Sequence, residues 1–285
     1  MRRVRLFSRV KLGKVAVSLQ VLLLAASGIC CKVHGDAPPL LAESTWEIGF
    51  EYDYLEYDEH EWGRKLMEED GPLFGIGAAW TGHPPSGLML RVATGFVGGE
   101  LDYDGQTQSG VPLRENNNDF IWRLRGLIGY HYEWPDFVLT PYTGIGYRYW
   151  NDDIGGPAGY EREVQYWYTP IGIETAAPLG DEWIWGIRGE YDLFWGGRVK
   201  SHFSDVTGAL NNPTVDQDDG YGARGAVYVK RRLGDVSLGL EAFIRYWDID
   251  RSDRDAVTLY GMPYAVSWEP KNKTTVTGFQ ISLLF

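Results

Sequence analysis

Apolar and polar residues alternate with a period of two along ten stretches of the chain. Because successive side chains of a β-strand point to opposite faces of the sheet, this alternation predicts strands with one apolar and one polar face. Beyond residue 40, no apolar run approaches the roughly 20 residues that a membrane-spanning helix needs. The predicted strands cover residues 45–56, 72–81, 88–98, 119–132, 138–150, 163–175, 183–196, 220–231, 235–248 and 273–285.

The segments between the predicted strands alternate in length. Short turns are expected at 82–87, 133–137, 176–182 and 232–234, and long loops at 57–71, 99–118, 151–162, 197–219 and 249–272. Short turns at one end, long loops at the other and an even number of strands are typical of barrels in the bacterial outer membrane. The sequence therefore predicts an all-β fold, a closed antiparallel transmembrane β-barrel over residues 36–285. It favours ten strands over eight or twelve.

The two faces of the predicted strands differ in composition. One face carries no charged residue in any strand, and Trp and Tyr gather near its ends, as at Trp46 and Tyr54. A charged side chain that faces lipid costs roughly 2–4 kcal/mol near the bilayer midplane, so this uncharged face can contact hydrocarbon. The alternative is a soluble β-sandwich or lipocalin-like barrel, in which the apolar face would point inward.

The opposite face carries seven acidic and eight basic side chains and should line the lumen. Charges tolerate burial when they are paired, and nearly equal numbers allow pairing across a narrow bore. We therefore expect a plugged lumen, with a small-solute pore as the competing possibility. The charged residues are Glu47, Glu51, Asp53, Arg91, Arg123, Arg125, Arg148, Glu174, Arg188, Glu190, Asp192, Arg224, Lys230, Glu241 and Arg245.

The N-terminal segment has the pattern of a secretory signal peptide, predicted over residues 1–35. Basic residues precede an apolar run from Val15 to Ile29, which is too short for a comfortable membrane span; a single anchor helix is the alternative. Cys30 and Cys31 both fall in this segment, so the mature chain should contain no disulfide. Removal of the predicted signal peptide leaves 20 basic and 39 acidic residues. The resulting net charge of −19 argues against nucleic acid as a partner.

The C-terminal strand alternates up to a terminal Phe285. This ending resembles the recognition signal that assembly machinery reads in bacterial outer-membrane barrels. Internal segments that also resemble barrel-domain proteins of this type are 140–150, 168–174, 190–192 and 243–247. The resemblance implies export through the periplasm to the outer membrane. It also implies outer-membrane lipid, lipopolysaccharide and the barrel-assembly machinery as partners. It implies no particular activity, because one scaffold can host many functions.

The ten-strand architecture resembles that of the omptin proteases. The resemblance implies an Asp pair and an Asp–His pair at the outer rim that together activate water. The candidates here are Asp102 with Asp104, and His202 with Asp205. The match is incomplete, because in the family an Asp precedes the His by two residues, whereas His202 here precedes Asp205 by three.

Acidic residues are frequent in the predicted outer loops. Asp216, Asp218 and Asp219 faintly resemble the start of a calcium loop, although the later Glu and the flanking helices of an EF-hand are absent. Loop-bound Ca²⁺ or Mg²⁺ and a solvated acidic surface therefore remain alternatives. No zinc, phosphate-loop or nucleotide motif is present, and no cofactor is predicted.

These patterns favour a non-enzymatic outer-membrane barrel that serves surface interaction or envelope structure. An omptin-like protease and a small-solute pore are the alternatives. The sequence does not identify an external ligand.

Overall fold

The computed structural model describes residues 44–84, 86–106, 111–156 and 159–285. Strands dominate these residues, which also contain one turn of 3-10 helix at Phe203–Asp205. Among them, no helix is long and apolar enough to cross a membrane. The signal peptide predicted over residues 1–35 lies outside the described residues.

Ten antiparallel strands follow one another in chain order around a single closed sheet. Shorter strands at Tyr132–Glu133 and Thr214–Gln217 extend this sheet, and Asp255–Leu259 forms a separate hairpin with Met262–Ser267. The barrel strands are β1 (Thr45–Glu61), β2 (Arg64–Gly82), β3 (Leu88–Gln106), β4 (Pro112–Tyr130), β5 (Val138–Ile154), β6 (Glu161–Leu179), β7 (Trp183–Ser201), β8 (Gly220–Leu233), β9 (Val236–Ile249) and β10 (Lys271–Leu284).

The last strand closes the barrel on the first. β10 pairs with β9 on one side and with β1 on the other, where Phe50 lies opposite Ile281. The backbones of Trp46 and Phe285 exchange two hydrogen bonds, of 2.8 and 3.0 Å. Since hydrocarbon offers no hydrogen-bond partner, closure satisfies backbone groups that an open sheet edge would expose. The predicted fold class, a closed antiparallel barrel of ten strands, is confirmed.

The apolar face of the strands points outward. Trp46, Ile48 and Phe50 alternate along β1 at 54%, 52% and 46% exposure. Rings on neighbouring strands contact one another above this band, and the Tyr52 ring lies 5.3 Å from the rings of both Phe74 and Phe279. An outward apolar band with an aromatic belt fits a surface that faces lipid.

One end of the barrel carries the longer connections, and we call it the hairpin end. At this end the strands extend further than predicted. The predicted loop at 57–71 is instead a continuous hairpin with a two-residue turn, Trp62 and Gly63, both at positive φ (52° and 76°). Most of 99–118 and parts of 151–162 are also strand. The prediction of long loops there was wrong. Charged residues lie on the outward face of these strand extensions and obscure the alternation of apolar and polar residues.

Apolar side chains change sides where the strands pass beyond the aromatic belt. Leu55 and Tyr57 of β1 point into the barrel and are 0% and 2% exposed, whereas Glu56 between them is exposed on the outer wall. Leu101 and Trp150 are fully buried in the same layer. Because water surrounds the wall here, the strands bury their apolar side chains inside, and the bore gains an aromatic and aliphatic core.

We predict that replacing Phe285 by Ala lowers the amount of barrel in the outer membrane much more than the stability of barrel refolded in detergent. The backbone pairing with Trp46 does not need the ring, which is 57% exposed on the lipid side. Loss of the ring should therefore cost at most about 1.5–3 kcal/mol of unfolding free energy. Quantitative immunoblots of membrane fractions and urea titrations measure the two effects. Normal membrane levels would show that the C-terminus is not an assembly signal.

Candidate functional site

Two arginines on other strands form ion pairs with two acids of β1 inside the bore. Arg123 on β4 and Arg245 on β9 both contact Glu51, at 2.7 and 2.8 Å, and both contact Asp53, at 3.0 and 3.2 Å. Neither β4 nor β9 pairs with β1, so these ion pairs join strands that are not neighbours in the sheet. Each guanidinium uses two nitrogens, a geometry that makes the pairs strong and directional.

A second set of ion pairs lies nearer the terminal end, where both chain ends of the barrel lie. Arg188 on β7 contacts Glu174 on β6 at 3.0 Å and Glu241 on β9 at 3.1 Å. Arg224 on β8 also contacts Glu241, at 2.5 Å, and the Tyr228 hydroxyl donates to Glu174 at 2.6 Å. Each of the two carboxylates therefore has at least two hydrogen-bond donors, as burial requires.

Two further pairs complete the charged layer. Arg125 on β4 is paired with Glu190 on β7, which also accepts a hydrogen bond of 2.8 Å from the Tyr142 hydroxyl. Arg91 lies 3.6 Å from Glu47. Twelve of the fifteen predicted lumen charges thus take part in ion pairs. Within the described residues, the three outside these pairs are Arg148, Asp192 and Lys230.

Arg148 has no acidic partner among the described residues. Its guanidinium lies over the rings of Trp150 and Tyr166, at 5.1 and 5.3 Å, and its two terminal nitrogens have no hydrogen-bond partner in the described part of the chain. Cation–π contact with two rings partly compensates a desolvated guanidinium. Arg148 therefore marks the boundary between the charged layer and the aromatic layer above it.

Little open space remains inside the charged layer. A cavity of about 100 Å³ lies between these side chains. A larger vestibule of about 390 Å³, lined by His83, His131 and Lys230 among others, opens at the terminal end. Above the charged layer, the bore is occupied by the buried side chains of Tyr57 and Trp150, which meet edge to face at 5.0 Å.

The hairpin end of the bore contains a buried arginine with an excess of carboxylates. Arg162 on β6 contacts Glu59 at 2.5 Å, Asp152 at 2.7 Å and Glu269 at 3.1 Å. The Tyr57 hydroxyl lies 2.9 Å from an oxygen of each glutamate, within hydrogen-bond distance of both. All five side chains are at least nine-tenths buried.

Two more acids adjoin Asp152. Glu69 on β2, Asp119 on β4 and Asp152 on β5, hereafter the carboxylate cluster, each offer an oxygen within 4.8 Å of the other two. The amide nitrogen of Asn117 donates to Glu69 at 2.7 Å and to Asp152 at 3.0 Å, and the indole nitrogen of Trp150 donates to Asp119 at 2.6 Å. Counting Glu59 and Glu269, five buried carboxyl groups therefore lie in this part of the bore, and Arg162 contacts three of them.

Burial changes the acidity of these groups, which lie beyond the aromatic belt and outside the membrane-spanning segments. Desolvation raises the pKa of Asp119 to about 8 and that of Glu269 to about 7. Desolvation, reinforced by the neighbouring carboxylates, raises the pKa of Glu69 well above its usual range, and burial also raises the pKa of Asp152. Arg162 opposes these shifts. The cluster therefore favours protons or another positive charge.

The predicted Asp pair lies on the outer wall of β3. Leu101 is buried in the bore and Asp102 is exposed, so Asp102 and Asp104 share the outward side of the strand. Asp104 forms an exposed ion pair with Arg114 at 2.8 Å. Neither carboxylate points into the bore.

The predicted His–Asp pair also lies on the outside of the barrel, next to β6. The Nε2 atom of His202 lies 2.6 Å from Glu163, and Asp205 accepts a hydrogen bond of 3.2 Å from the backbone of Glu161. Glu161, His202 and Asp205 bring ligand atoms within 4.8 Å of one another at the surface. β4 and β5 separate this pair from the Asp pair on β3, and the structure does not bring the two pairs together.

The acids with a faint likeness to a calcium loop are exposed. Asp216 pairs with Arg198 at 3.2 Å, and Asp218 and Asp219 face solvent. None of the three belongs to a group of converging ligand atoms within the described residues.

Solved structures of bacterial barrels resemble this fold. The outer-membrane protease OmpT of Escherichia coli aligns with a TM-score of 0.57 and 11% identity, over 89% of this chain and 99% of OmpT. OprG of Pseudomonas aeruginosa aligns with a TM-score of 0.39 and 8% identity, over 86% of this chain and 97% of that one. The chain has the fold of an outer-membrane β-barrel. No family model and no curated protein matches its sequence.

This outer-membrane barrel resembles the omptins in its ten-strand architecture, and at 11% identity the likeness shows the fold alone. The residues around Arg162 were not predicted as a site, because Glu59, Glu69 and Asp152 resemble solvated loop acids when the strands are taken to end earlier. The missing signal was the inward position of these residues, which continues the alternation of β1, β2 and β5.

We predict that removing Arg245 destabilises the barrel by about 3 kcal/mol. Arg245→Ala leaves Glu51 and Asp53 buried with Arg123 alone, and breaking a buried pair typically costs roughly 3–5 kcal/mol. Arg198→Ala is the matched control, because the Arg198–Asp216 pair is exposed and such pairs contribute about 0–1 kcal/mol. Urea unfolding of the refolded barrel measures both variants, and equal losses would contradict the network.

We predict that the barrel loses stability as the pH rises from about 5 to 9 in buffer free of divalent cations. An acid whose pKa is raised by folding above its ordinary value near 4 contributes stability that is fully present when the pH is below that ordinary value. This contribution is lost as the pH rises through the folded values of about 7 for Glu269 and about 8 for Asp119.

The matched control for this pH effect is Asp119→Asn, which should flatten part of the slope because the amide does not titrate. Melting temperatures measured across the pH range test both proteins. A wild-type barrel that becomes more stable between pH 5 and 9 would contradict the assignment.

Proposed function

We propose that this protein is a non-conducting, non-enzymatic outer-membrane barrel that acts through contacts at its hairpin end. The observation that carries the proposal is the filled bore. Ion pairs span the charged layer, and the side chains of Leu55, Tyr57 and Trp150 occupy the layer above it with at most 2% exposure. Porins that conduct have 16–18 strands, and a ten-strand bore is far narrower.

The hairpin end offers a surface suited to cationic partners. Its outer wall carries exposed acids such as Glu56 and Asp102, and the turns present Trp62 and Tyr260 at 88% and 79% exposure. Carboxylates beside aromatic rings bind basic peptides by charge and cation–π contact. The proposed partners are basic segments of external proteins and the cations that accompany lipopolysaccharide. The barrel-assembly machinery remains the proposed partner during insertion.

Proteolysis is the less favoured alternative. OmpT is an outer-membrane protease, but its likeness to this chain supports only the fold. The general base of a hydrolase must lie within hydrogen-bond reach of its water and its partner groups. Asp104 instead pairs with Arg114 and His202 with Glu163 on separate outer walls. Purified barrel should therefore release no products from a broad peptide mixture, and cleavage abolished by His202→Ala would overturn this view.

We predict that the purified barrel gives no steady conductance in planar lipid bilayers. The ion pairs and the aromatic layer leave no aqueous path of porin width, so ions should meet a closed bore. A general porin reconstituted in the same bilayers is the positive control. Stable steps in the conductance range of that porin would reject the closed bore and favour the small-solute pore.

We also predict that the hairpin end faces the exterior of the cell. Gly208 lies in the β7–β8 connection with open space around it, and Ser86 is exposed in the turn between β2 and β3 at the opposite end. An impermeant maleimide should label Gly208→Cys on intact cells and should leave Ser86→Cys unlabelled until the outer membrane is opened. The reverse pattern would show the opposite orientation.

A further inference from the structure

We propose that the carboxylate cluster of Glu69, Asp119 and Asp152 is a calcium-binding site inside the barrel wall. The three acids are 0%, 4% and 0% exposed and come from three different strands, β2, β4 and β5. Their ligand oxygens lie within 4.8 Å of one another, a separation that one ion can bridge. The inference does not depend on the proposed function of the hairpin end.

An uncharged side chain in the same place points independently to a ligand. Asn117 is fully buried, and its amide group lies in the cluster, where the nitrogen contacts Glu69 and Asp152. Its carbonyl oxygen, Oδ1, is buried and has no hydrogen-bond partner among the described residues. A buried amide oxygen without a donor is unfavourable unless a cation or another donor satisfies it.

The carboxylates themselves also have unsatisfied oxygens. Glu69 Oε2 and Asp119 Oδ2 are buried without a hydrogen-bond partner in the described part of the chain. With Asn117 Oδ1 they make three buried oxygens on three side chains that have no donor among the described residues, and Asp152 adds a third carboxylate to the cluster. The donors that are present, the Asn117 amide and the Trp150 indole, satisfy only the other oxygens of Glu69 and Asp119.

The charge balance favours a divalent ion. Arg162 is the cation in contact with this region within the described residues, and it contacts Asp152, Glu59 and Glu269 but neither Glu69 nor Asp119. With all five carboxyl groups ionised, the excess is four negative charges, and one divalent ion would halve it. The ion would lie beside the two acids that Arg162 does not reach.

The donor set favours Ca²⁺ over other metals. Carboxylate and amide oxygens are hard ligands, which suit Ca²⁺ or Mg²⁺ rather than metals that prefer nitrogen or sulfur. Mg²⁺ dehydrates reluctantly and usually keeps several waters, whereas Ca²⁺ accepts six to eight oxygens in irregular geometry. Three carboxylates, two of which keep an oxygen without a hydrogen-bond donor in the described part of the chain, and one amide oxygen suit the preference of Ca²⁺ for several oxygen ligands in a buried site.

Trp150 provides a local reporter for the test. Its indole nitrogen lies 2.6 Å from Asp119, so a terbium ion in the cluster would receive energy from this ring and emit. Chelator-treated, full-chain barrel refolded in detergent is titrated with Tb³⁺ and then with Ca²⁺. We expect sensitised emission that Ca²⁺ displaces, and calorimetry with Ca²⁺ alone should give one ion per barrel.

Two isosteric variants test the ligands. Asp119→Asn and Glu69→Gln each remove one buried charge, so both should fold, which is checked by the mobility of unboiled protein on gels. Each should weaken Ca²⁺ binding by roughly tenfold or more, because affinity depends on the number of charged ligands. Asp216→Asn is the matched control at the exposed acids and should leave the affinity unchanged.

Two results would overturn the proposal. One is the absence of Ca²⁺ binding and of sensitised emission in the wild-type barrel. The other is binding whose affinity is the same in wild type, Asp119→Asn and Glu69→Gln, which would place the ion at the exposed surface groups, such as Glu161, His202 and Asp205.

Discussion

The barrel depends on ion pairs that join charges from different strands inside its bore. Glu51 and Asp53 lie on a wall that faces lipid on its other side, so no water reaches them from outside the barrel. Their partners Arg123 and Arg245 belong to strands that do not pair with β1 in the sheet. These contacts therefore join strands that are not neighbours in the sheet, and they fill the middle of the bore with side chains. A narrow barrel with unpaired charges would be strongly destabilised.

The alternation of side chains was sufficient to predict the membrane part of this fold. Hydrocarbon excludes charge from the lipid-facing side of each strand and not from the side that faces the bore. The lipid face of β1 therefore carries Trp46, Ile48 and Phe50, and its lumen face carries Glu47 and Glu51. The strand extensions could not be predicted in the same way. Beyond the aromatic belt water replaces lipid, so the apolar residues move to the inner face, and charged residues on the outer face resemble a loop.

The sequence predicts which residues face the bore, but it does not predict which of them contact one another. Inward position identifies Arg125 and Glu190 as lumen residues, but alternation along one strand contains no information about which side chains meet across the bore. The resemblance to omptins drew attention to Asp102 and His202, which the structure places on outer walls. The carboxylate cluster depends on three strands continuing past their predicted ends, so its burial was invisible in the sequence.

The most direct test of this account is a double-mutant cycle on Arg125 and Glu190, which pair between β4 and β7 across the bore. Unfolding free energies of wild type, Arg125→Met, Glu190→Gln and the double variant are measured by urea titration of refolded barrel. Cross-bore pairing predicts a coupling energy above about 1 kcal/mol, because the second substitution costs less once the first partner is gone. Additive effects, with a coupling within about 0.5 kcal/mol of zero, would contradict the claim that cross-bore pairs hold the barrel together.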